Sequence, residues 1–268
     1  MKNIRFITRS DDVGSSHSAN LAISRVLDAG FIKNASLMAC GPAIESAAEL
    51  LAHRKDVCFG MHTTLNAEWD KVKWKPLLPI EKCSGLIDGD GCFLAHPTMF
   101  LQTKPPVEII MQEVDAQLER LHKLGFSVCY IDSHMFPERY VEGLHEAMGD
   151  FAKRKGLIDH MYFYNLPPWG LTLCKVTEID LLPDGQYLGI SHPSLDTEEM
   201  RLTGNASVCG ASVAATRAKE TALLSDRNFC RSLEALGMQS IRYDEAAFEK
   251  RLTLNELNLR LSGKQKTV

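Results

Sequence analysis

The sequence predicts an α/β fold, a distorted (β/α) barrel of the TIM type with a long insert after the third strand. Short runs rich in β-branched and aromatic residues alternate with longer runs whose apolar residues recur at helical spacing. This alternation predicts parallel strands connected by outer helices, and about seven strands in 268 residues favour a barrel over an open sheet. No repeat, low-complexity tract or linker interrupts the pattern, so we expect residues 1–268 to form one domain.

Each element follows from a local pattern. Strands are predicted at residues 4–8, 35–39, 57–62, 128–134, 160–164, 186–192 and 239–243, and helices at 18–30, 43–54, 107–124 and 144–156, with two further helices before the last strand. Gly30 follows the first helical run, where a glycine commonly ends a helix. The segment from Glu68 to Lys104 breaks the rhythm and contains the turn signals "WKPLLP" and "IDGDG". A loop of this length in a compact domain is more often functional than not.

Composition excludes several classes of partner. A formal net charge of −4 gives neither the basic surface of a nucleic-acid-binding protein nor a polybasic membrane patch. The start of the sequence lacks the apolar region of a signal peptide, and no apolar run is long enough to span a membrane, so we expect a cytoplasmic protein. The eight cysteines include no CxxC pair, which predicts reduced, mostly buried thiols rather than a disulfide framework or a zinc knuckle.

Four polar signals fall at predicted strand ends. They are Asp11 with Asp12, His62, Asp132 with His134, and His192. The carboxyl ends of parallel strands meet at one edge of the sheet, where α/β folds build their sites. A single histidine or Asp-Asp pair is more often structural, but four such signals at one edge favour a metal or acid–base site. His96 in the insert is not assigned to the site. The remaining histidines are expected in structural roles: His17, His53, His122, His145 and His160.

Two histidines and one carboxylate form a ligand set that leaves coordination positions open on a divalent metal ion. Open positions suit a hydrolase, because water and a substrate oxygen must both reach the ion. One aspartate of the Asp11–Asp12 pair would bind the ion while the other remains free as a base. The cation also explains how two adjacent carboxylates remain ionised in a buried position. Magnesium or zinc is the expected ion, with iron and manganese as alternatives.

The stretches "SDDVGSSHSAN", "FGMHTTLNAEWD", "YIDSHMFPERY", "ISHPSLDTEEM" and "TRAKETALLSD" resemble, in this order, the YdjC-like carbohydrate deacetylases. The resemblance implies a distorted (β/α) barrel that removes an acetyl group from an N-acetylated sugar. It implies that Asp12, His62 and His134 bind one divalent ion and that Asp11 is the general base. His192 would be the general acid or would stabilise the intermediate. No further cofactor is implied, the partner is a small carbohydrate, and a homodimer is left open.

The resemblance further implies that Asp132 orients a neighbouring ligand and that Arg217 and Glu220 pair structurally. Two departures concern the substrate: "DSHMF" replaces a histidine-rich run of many members, and "HTTL" replaces "HLTL". Trp69 and Trp74 are expected either to stack on sugar rings or to pack the insert against the barrel. Two alternative functions stay open: hydrolysis of another amide or an ester at the same metal site, and non-catalytic sugar binding.

Overall fold

A computed structural model describes residues 3–173, 175, 176, 178 and 182–262 of the chain. Its strands are β1 (Ile4–Val13), β2 (Asn34–Leu37), β3 (Cys58–Thr63), β4 (Val128–Ser133), β5 (Ile158–Asp159), β6 (Gly185–Ser191) and β7 (Met238–Ile241). They pair in the order β5-β4-β3-β2-β1-β6, β7 adds to β1, and every pairing between them is parallel. This sheet curls into a half-barrel surrounded by helices, which confirms the predicted α/β fold and is consistent with a distorted (β/α) barrel.

A helix lies in each segment where one was predicted, and three further helices of the described residues, at 100–103, 198–201 and 254–261, were not predicted. The helices are α1 (His17–Ala29), α2 (Ile44–Leu51), α3 (Phe100–Thr103), α4 (Val107–Lys123), α5 (Leu144–Lys155), α6 (Glu198–Arg201), α7 (Gly210–Leu224), α8 (Arg227–Ala235) and α9 (Leu254–Leu261). The Ser16 hydroxyl accepts the N–H of Ala19 to begin α1, and Gly30 ends it with φ of 87°. In the described ranges of the chain, none of these helices is both long and apolar enough to cross a membrane.

Two apolar layers hold the sheet. The outer layer packs apolar faces of helices such as α1, α2 and α4 against outward-facing strand residues, for example Phe6, Phe59 and Ile131. The inner layer fills the half-barrel with residues including Ile7, Tyr130 and Tyr243, and α9 contributes Leu257 to it. Burial of these two layers is the main force that keeps the strand ends in register.

Two strand predictions were wrong. β1 extends to Val13 rather than ending at Thr8, because Ser10 pairs with both Ala35 and Ser191 and so continues the ladders to both neighbours. The run at 160–164 is not a strand: β5 ends at Asp159, and its carboxylate accepts the N–H of Met161 to begin a 3₁₀ helix. The aromatic residues of this run fill the inner layer. Their burial in that layer, and not pairing with another strand, explains why the run has the composition of a strand.

The insert is anchored by α4. Buried Glu113 accepts the backbone N–H groups of Leu77 and Leu78, and Gln117 bonds both backbone groups of Thr64 directly after β3. Trp74 is buried and donates its indole N–H to the carbonyl of Asn66. These contacts fix the path of the insert across the carboxyl ends of the strands.

Candidate metal centre and active site

A cavity of about 830 Å³ opens at the carboxyl ends of the strands. Its lining includes all five predicted site residues, Asp11, Asp12, His62, His134 and His192. The site edge expected for a parallel α/β sheet is therefore the edge where these residues meet. The insert, the loop between α6 and α7, helix α7 and the segment after β4 contribute further walls of this cavity.

Three donor atoms converge on one point inside the cavity. The Asp12 Oδ1 atom lies 3.7 Å from His62 Nε2 and 3.8 Å from His134 Nδ1, and the two nitrogens are 3.2 Å apart. Donors bound to one ion at about 2.1 Å lie roughly 3.0 Å apart at right angles and roughly 3.4 Å apart in a tetrahedron. The spacing between the two nitrogens lies between these values, and the two spacings to Asp12 are slightly above the tetrahedral one, so a small inward movement of Asp12 would complete the shell of a single ion.

Carboxylates orient both histidine rings from behind. His62 Nδ1 lies 3.0 Å from Asp132, and His134 Nε2 lies 2.9 Å from Glu68. Each carboxylate accepts a ring N–H, so the nitrogen on the opposite side of each ring directs a lone pair into the centre. Two lone pairs 3.2 Å apart repel each other unless a proton or a metal ion lies between them.

The charge around His62 favours a cation at this point. Burial lowers the pKa of His62, but the surrounding carboxylates, Asp132 foremost, outweigh burial and raise it to about 9. A site that holds a proton this strongly also attracts a metal ion, which occupies the same lone pair.

Asp12 reaches the centre through an unusual backbone conformation. Consecutive strand residues face opposite sides, yet Asp11 and Asp12 both face the cavity. Asp12 has φ of 67°, in the left-handed region that few non-glycine residues adopt, and the β1–β2 register shifts between Ser10 and Val13. This irregularity turns the second carboxylate back toward the histidines.

One carboxylate oxygen of Asp12 is held and the other is free for a ligand. The Arg217 guanidinium forms an ion pair with Oδ2 at 2.8 Å, while buried Oδ1 has no hydrogen-bond partner among the residues that the structure describes. Burial raises the pKa of Asp12, but the cations around it, first Arg217, outweigh burial and hold the pKa far below its usual value. An ionised, buried and unpartnered oxygen that faces two histidine lone pairs is an arrangement typical of a metal ligand.

Asp11 belongs to a separate pair beside the donor set. Arg9 donates Nε and Nη2 to its two oxygens at 2.6 and 2.8 Å, and both side chains are buried. Arg9 also contacts Asp132 at 2.6 Å, so it ties Asp11 to the group that orients His62. An Asp11 oxygen lies within 4.8 Å of His62. Asp11 thus lies next to the centre with its orientation fixed by a bidentate bond.

His192 enters the cavity from the end of β6. It follows Ser191, which pairs in register with Ser10 on the neighbouring strand, so His192 lies beside the aspartate pair. Its backbone N–H donates to Glu220 at 2.6 Å, and its charge acts on Asp12. The predicted Arg217–Glu220 pattern therefore serves the site directly, because Arg217 contacts Asp12 and Glu220 contacts His192.

The charges near the donor set fit a divalent cation. Four carboxylates and two guanidiniums are linked to it through the contacts above: Asp11, Asp12, Glu68, Asp132, Arg9 and Arg217. Two negative charges are left over when the histidines are neutral, and a divalent ion would balance them. Nitrogen donors together with carboxylate suit zinc, whereas open oxygen-rich positions suit magnesium.

A comparison with known protein families identifies the family of this chain. The family model described as "YdjC-like protein" matches residues 5–163, more than half of the chain. The chain belongs to the YdjC-like family. A carbohydrate deacetylase of Geobacillus stearothermophilus is 27% identical to this YdjC-like protein over 255 residues, which cover 89% of this chain and 96% of that relative.

Other known proteins are similar over different lengths. A carbohydrate deacetylase of Thermoanaerobacter pseudethanolicus is 27% identical over 161 residues, 60% of this chain and 58% of the relative. Among solved structures, one from Enterococcus faecalis described as a cellobiose-phosphate cleavage protein has a TM-score of 0.74 and 19% identity, and covers 92% of this chain and 100% of that one. This last likeness concerns the fold.

Sequence reasoning missed two residues of the YdjC-like site. Arg9 lies on the same strand face as Asp11 two residues later, so the alternation of the strand was a usable signal that the two side chains meet. Glu68 lies in the insert, and nothing in the local pattern indicates that it contacts His134.

The aromatic residues of the insert divide between two roles. Trp69 lines the cavity, whereas Trp74 is buried away from it and packs edge-on to His134 with the ring centres 6.1 Å apart. His96 also lines the cavity, although the sequence did not assign it to the site. The five histidines expected in structural roles are absent from the described lining of this cavity.

Proposed function

We propose that this protein is a metal-dependent deacetylase that hydrolyses the acetyl amide of an N-acetylated sugar. The observation that supports this most strongly is a set of three convergent donors with a spare carboxylate beside it: Asp12, His62 and His134 face one point, and Asp11 lies close by. The relatives from Geobacillus stearothermophilus and Thermoanaerobacter pseudethanolicus are also carbohydrate deacetylases by name.

We propose one divalent cation, magnesium or zinc, held by Asp12, His62 and His134. Bound there, it would polarise the acetyl carbonyl and make water more acidic. Asp11 would accept the proton of the attacking water. Arg9 occupies one lone pair on each Asp11 oxygen, which leaves a second lone pair available and keeps the carboxylate aimed at the centre.

His192 would donate a proton to the nitrogen of the departing amine. It lies beside the aspartate pair at the end of β6, and in the sheet order β3-β2-β1-β6 the strand β1 lies between it and His62. The bond from its backbone N–H to Glu220 fixes the loop that carries it. A base and an acid that both face the scissile amide allow water attack and amine departure to occur in sequence.

The proposed substrate is a small carbohydrate that fills the cavity beside the insert. Trp69 offers an aromatic face of the kind that packs against sugar rings. Hydrolysis of another amide or an ester remains the second candidate, because the donor set recognises a carbonyl rather than a particular sugar.

Acetate release tests this function. Metal-loaded protein is incubated with N-acetyl sugars of increasing length and with O-acetylated sugars as the ester arm. We expect acetate from at least one N-acetyl sugar and little from Asp11→Asn with its metal still bound. Acetate from no N-acetyl sugar would contradict deacetylation of amides, and acetate from the ester arm alone would favour the second candidate.

A further inference from the structure

A second cluster of ligand-type side chains lies at the amino ends of β3 and β4. It consists of Cys58 in β3, Cys129 in β4 and Asp244 after β7, and the ligand atoms of all three lie within 4.8 Å of one another. Along β4, Tyr130 lies between Cys129 and Asp132. The ring of Tyr243 packs on the ring of Tyr130 with the ring centres 4.1 Å apart. The cluster is therefore distinct from the candidate active site.

A β-bulge brings the two thiols together. Phe59 pairs with Val128 and Gly60 pairs with Tyr130, so Cys129 is an extra residue without its own partner in β3. Tyr130 belongs to the inner layer, and strict alternation would turn Cys129 outward. The bulge instead lets Cys129 pack against the inner layer, where Cys58 is buried.

The two thiols interact directly. The hydrogen bond between them lowers the pKa of Cys129 and raises that of Cys58, which makes Cys129 the better thiolate. Cys129 is partly exposed whereas Cys58 is buried, so solvent reaches the pair from the side of Cys129. A pair of sulfur atoms in this arrangement is a common start of a site for a soft cation.

Asp244 supplies an oriented oxygen donor. Arg242 donates Nε and Nη2 to its two oxygens at 2.8 and 2.7 Å and bonds the Lys55 carbonyl with Nη1. Each Asp244 oxygen keeps a lone pair for a further ligand. The charges also balance, because two thiolates match a divalent cation and Arg242 matches Asp244.

We propose that Cys58, Cys129 and Asp244 form a second metal site, selective for thiophilic divalent cations of the zinc class. Sulfur atoms bound to zinc at about 2.3 Å lie roughly 3.8 Å apart in a tetrahedron, a separation that the cluster accommodates. The three protein donors leave a fourth position toward solvent, since Asp244 is exposed. Binding replaces the two thiol protons, which are released to the buffer.

Cobalt(II) absorption tests this site in the full chain. The protein is kept reduced with a phosphine and titrated with Co²⁺. Thiolate-to-cobalt charge-transfer bands in the near ultraviolet arise only from sulfur ligands, so cobalt bound by the nitrogen and oxygen donors of the first site does not produce them. We expect such a band to saturate by about two equivalents, because the first site also takes up cobalt, and to disappear on addition of Zn²⁺.

Matched variants assign the band to its ligands. Cys58→Ser and Cys129→Ser should each lose it, and Asp244→Asn should weaken cobalt binding at least tenfold while the sulfur band persists. Cys209→Ser, which removes an exposed thiol elsewhere, should leave the titration unchanged. Thermal melting checks that each variant is folded, and Cys129→Ser at the partly exposed position is decisive if Cys58→Ser does not fold.

Three results would overturn the proposed site. The first is that the reduced protein shows no sulfur band, and the second is that the band persists in both cysteine variants. The third is that Cys58 and Cys129 form a disulfide in air while the reduced protein takes up no cobalt. The first site and its chemistry do not enter these outcomes, because the test requires no substrate.

Discussion

Glu68 provides the sharpest test of how the insert contributes to the metal centre. Its carboxylate accepts from His134 at 2.9 Å with a side chain only 12% exposed. A hydrogen bond to a charged group in such a position contributes about 1.5–3 kcal/mol. Since each 1.4 kcal/mol is about tenfold in affinity, Glu68→Ala should weaken metal binding roughly 10- to 100-fold.

Glu68→Gln should lose less, about tenfold or below, because its amide oxygen can still accept the ring N–H without the charge. Competition with a chromophoric chelator measures the metal affinity of each variant without substrate. Asp70→Asn is the matched control, because Asp70 lines the same cavity and its backbone N–H bonds Gly204. Metal affinity of Glu68→Ala within about twofold of the unchanged protein would refute the idea that Glu68 orients His134.

Three further predictions concern the base, the pH dependence and the substrate wall. Asp11→Asn should keep metal affinity and lose about 10²–10⁴-fold in turnover; equal loss of metal, measured by elemental analysis, would mean that the two aspartates are misassigned. The pKa of His62 is raised from 6.5 to about 9, so its positive charge contributes fully to the stability of the metal-free fold below about pH 6.5. Thermal melting should show that this contribution is lost as the pH rises through about 9. Metal affinity should rise over the same range, because the metal no longer competes with a proton. Trp69→Ala should raise KM for the sugar about 5- to 10-fold if the ring stacks on substrate, with metal affinity unchanged; loss of stability with unchanged KM would assign it to packing.

The strand-end rule predicted most of the site because chain topology alone brings those positions together. Parallel strands with right-handed connections place every carboxyl end at one edge, so His62, His134 and His192 could be grouped without knowledge of any distance. The polar end of β1 was harder to predict from the sequence. Arg9 and Asp11 can be buried in this strand because they form an ion pair with each other, and a hydropathy pattern does not show such pairs.

The remaining contacts depend on long-range geometry. Glu68 reaches His134 because α4 anchors the insert through Glu113, more than 40 residues further along the chain, and local spacing does not encode such a path. The left-handed backbone at Asp12 is equally invisible in the sequence, since a glycine would have signalled it and an aspartate does not. The bulge at Cys129 arises from the pairing of two strands, so the sequence predicted separate buried thiols instead of a cluster.

A crystal structure of manganese- or zinc-loaded protein with anomalous scattering tests the central proposal most directly. The account predicts a single strong peak in the cavity about 2.0–2.3 Å from Asp12 Oδ1, His62 Nε2 and His134 Nδ1, with both Asp11 oxygens outside the coordination shell and still bonded to Arg9. A peak bound by Asp11 in place of Asp12, or a cavity without a metal peak at saturating metal, would contradict it.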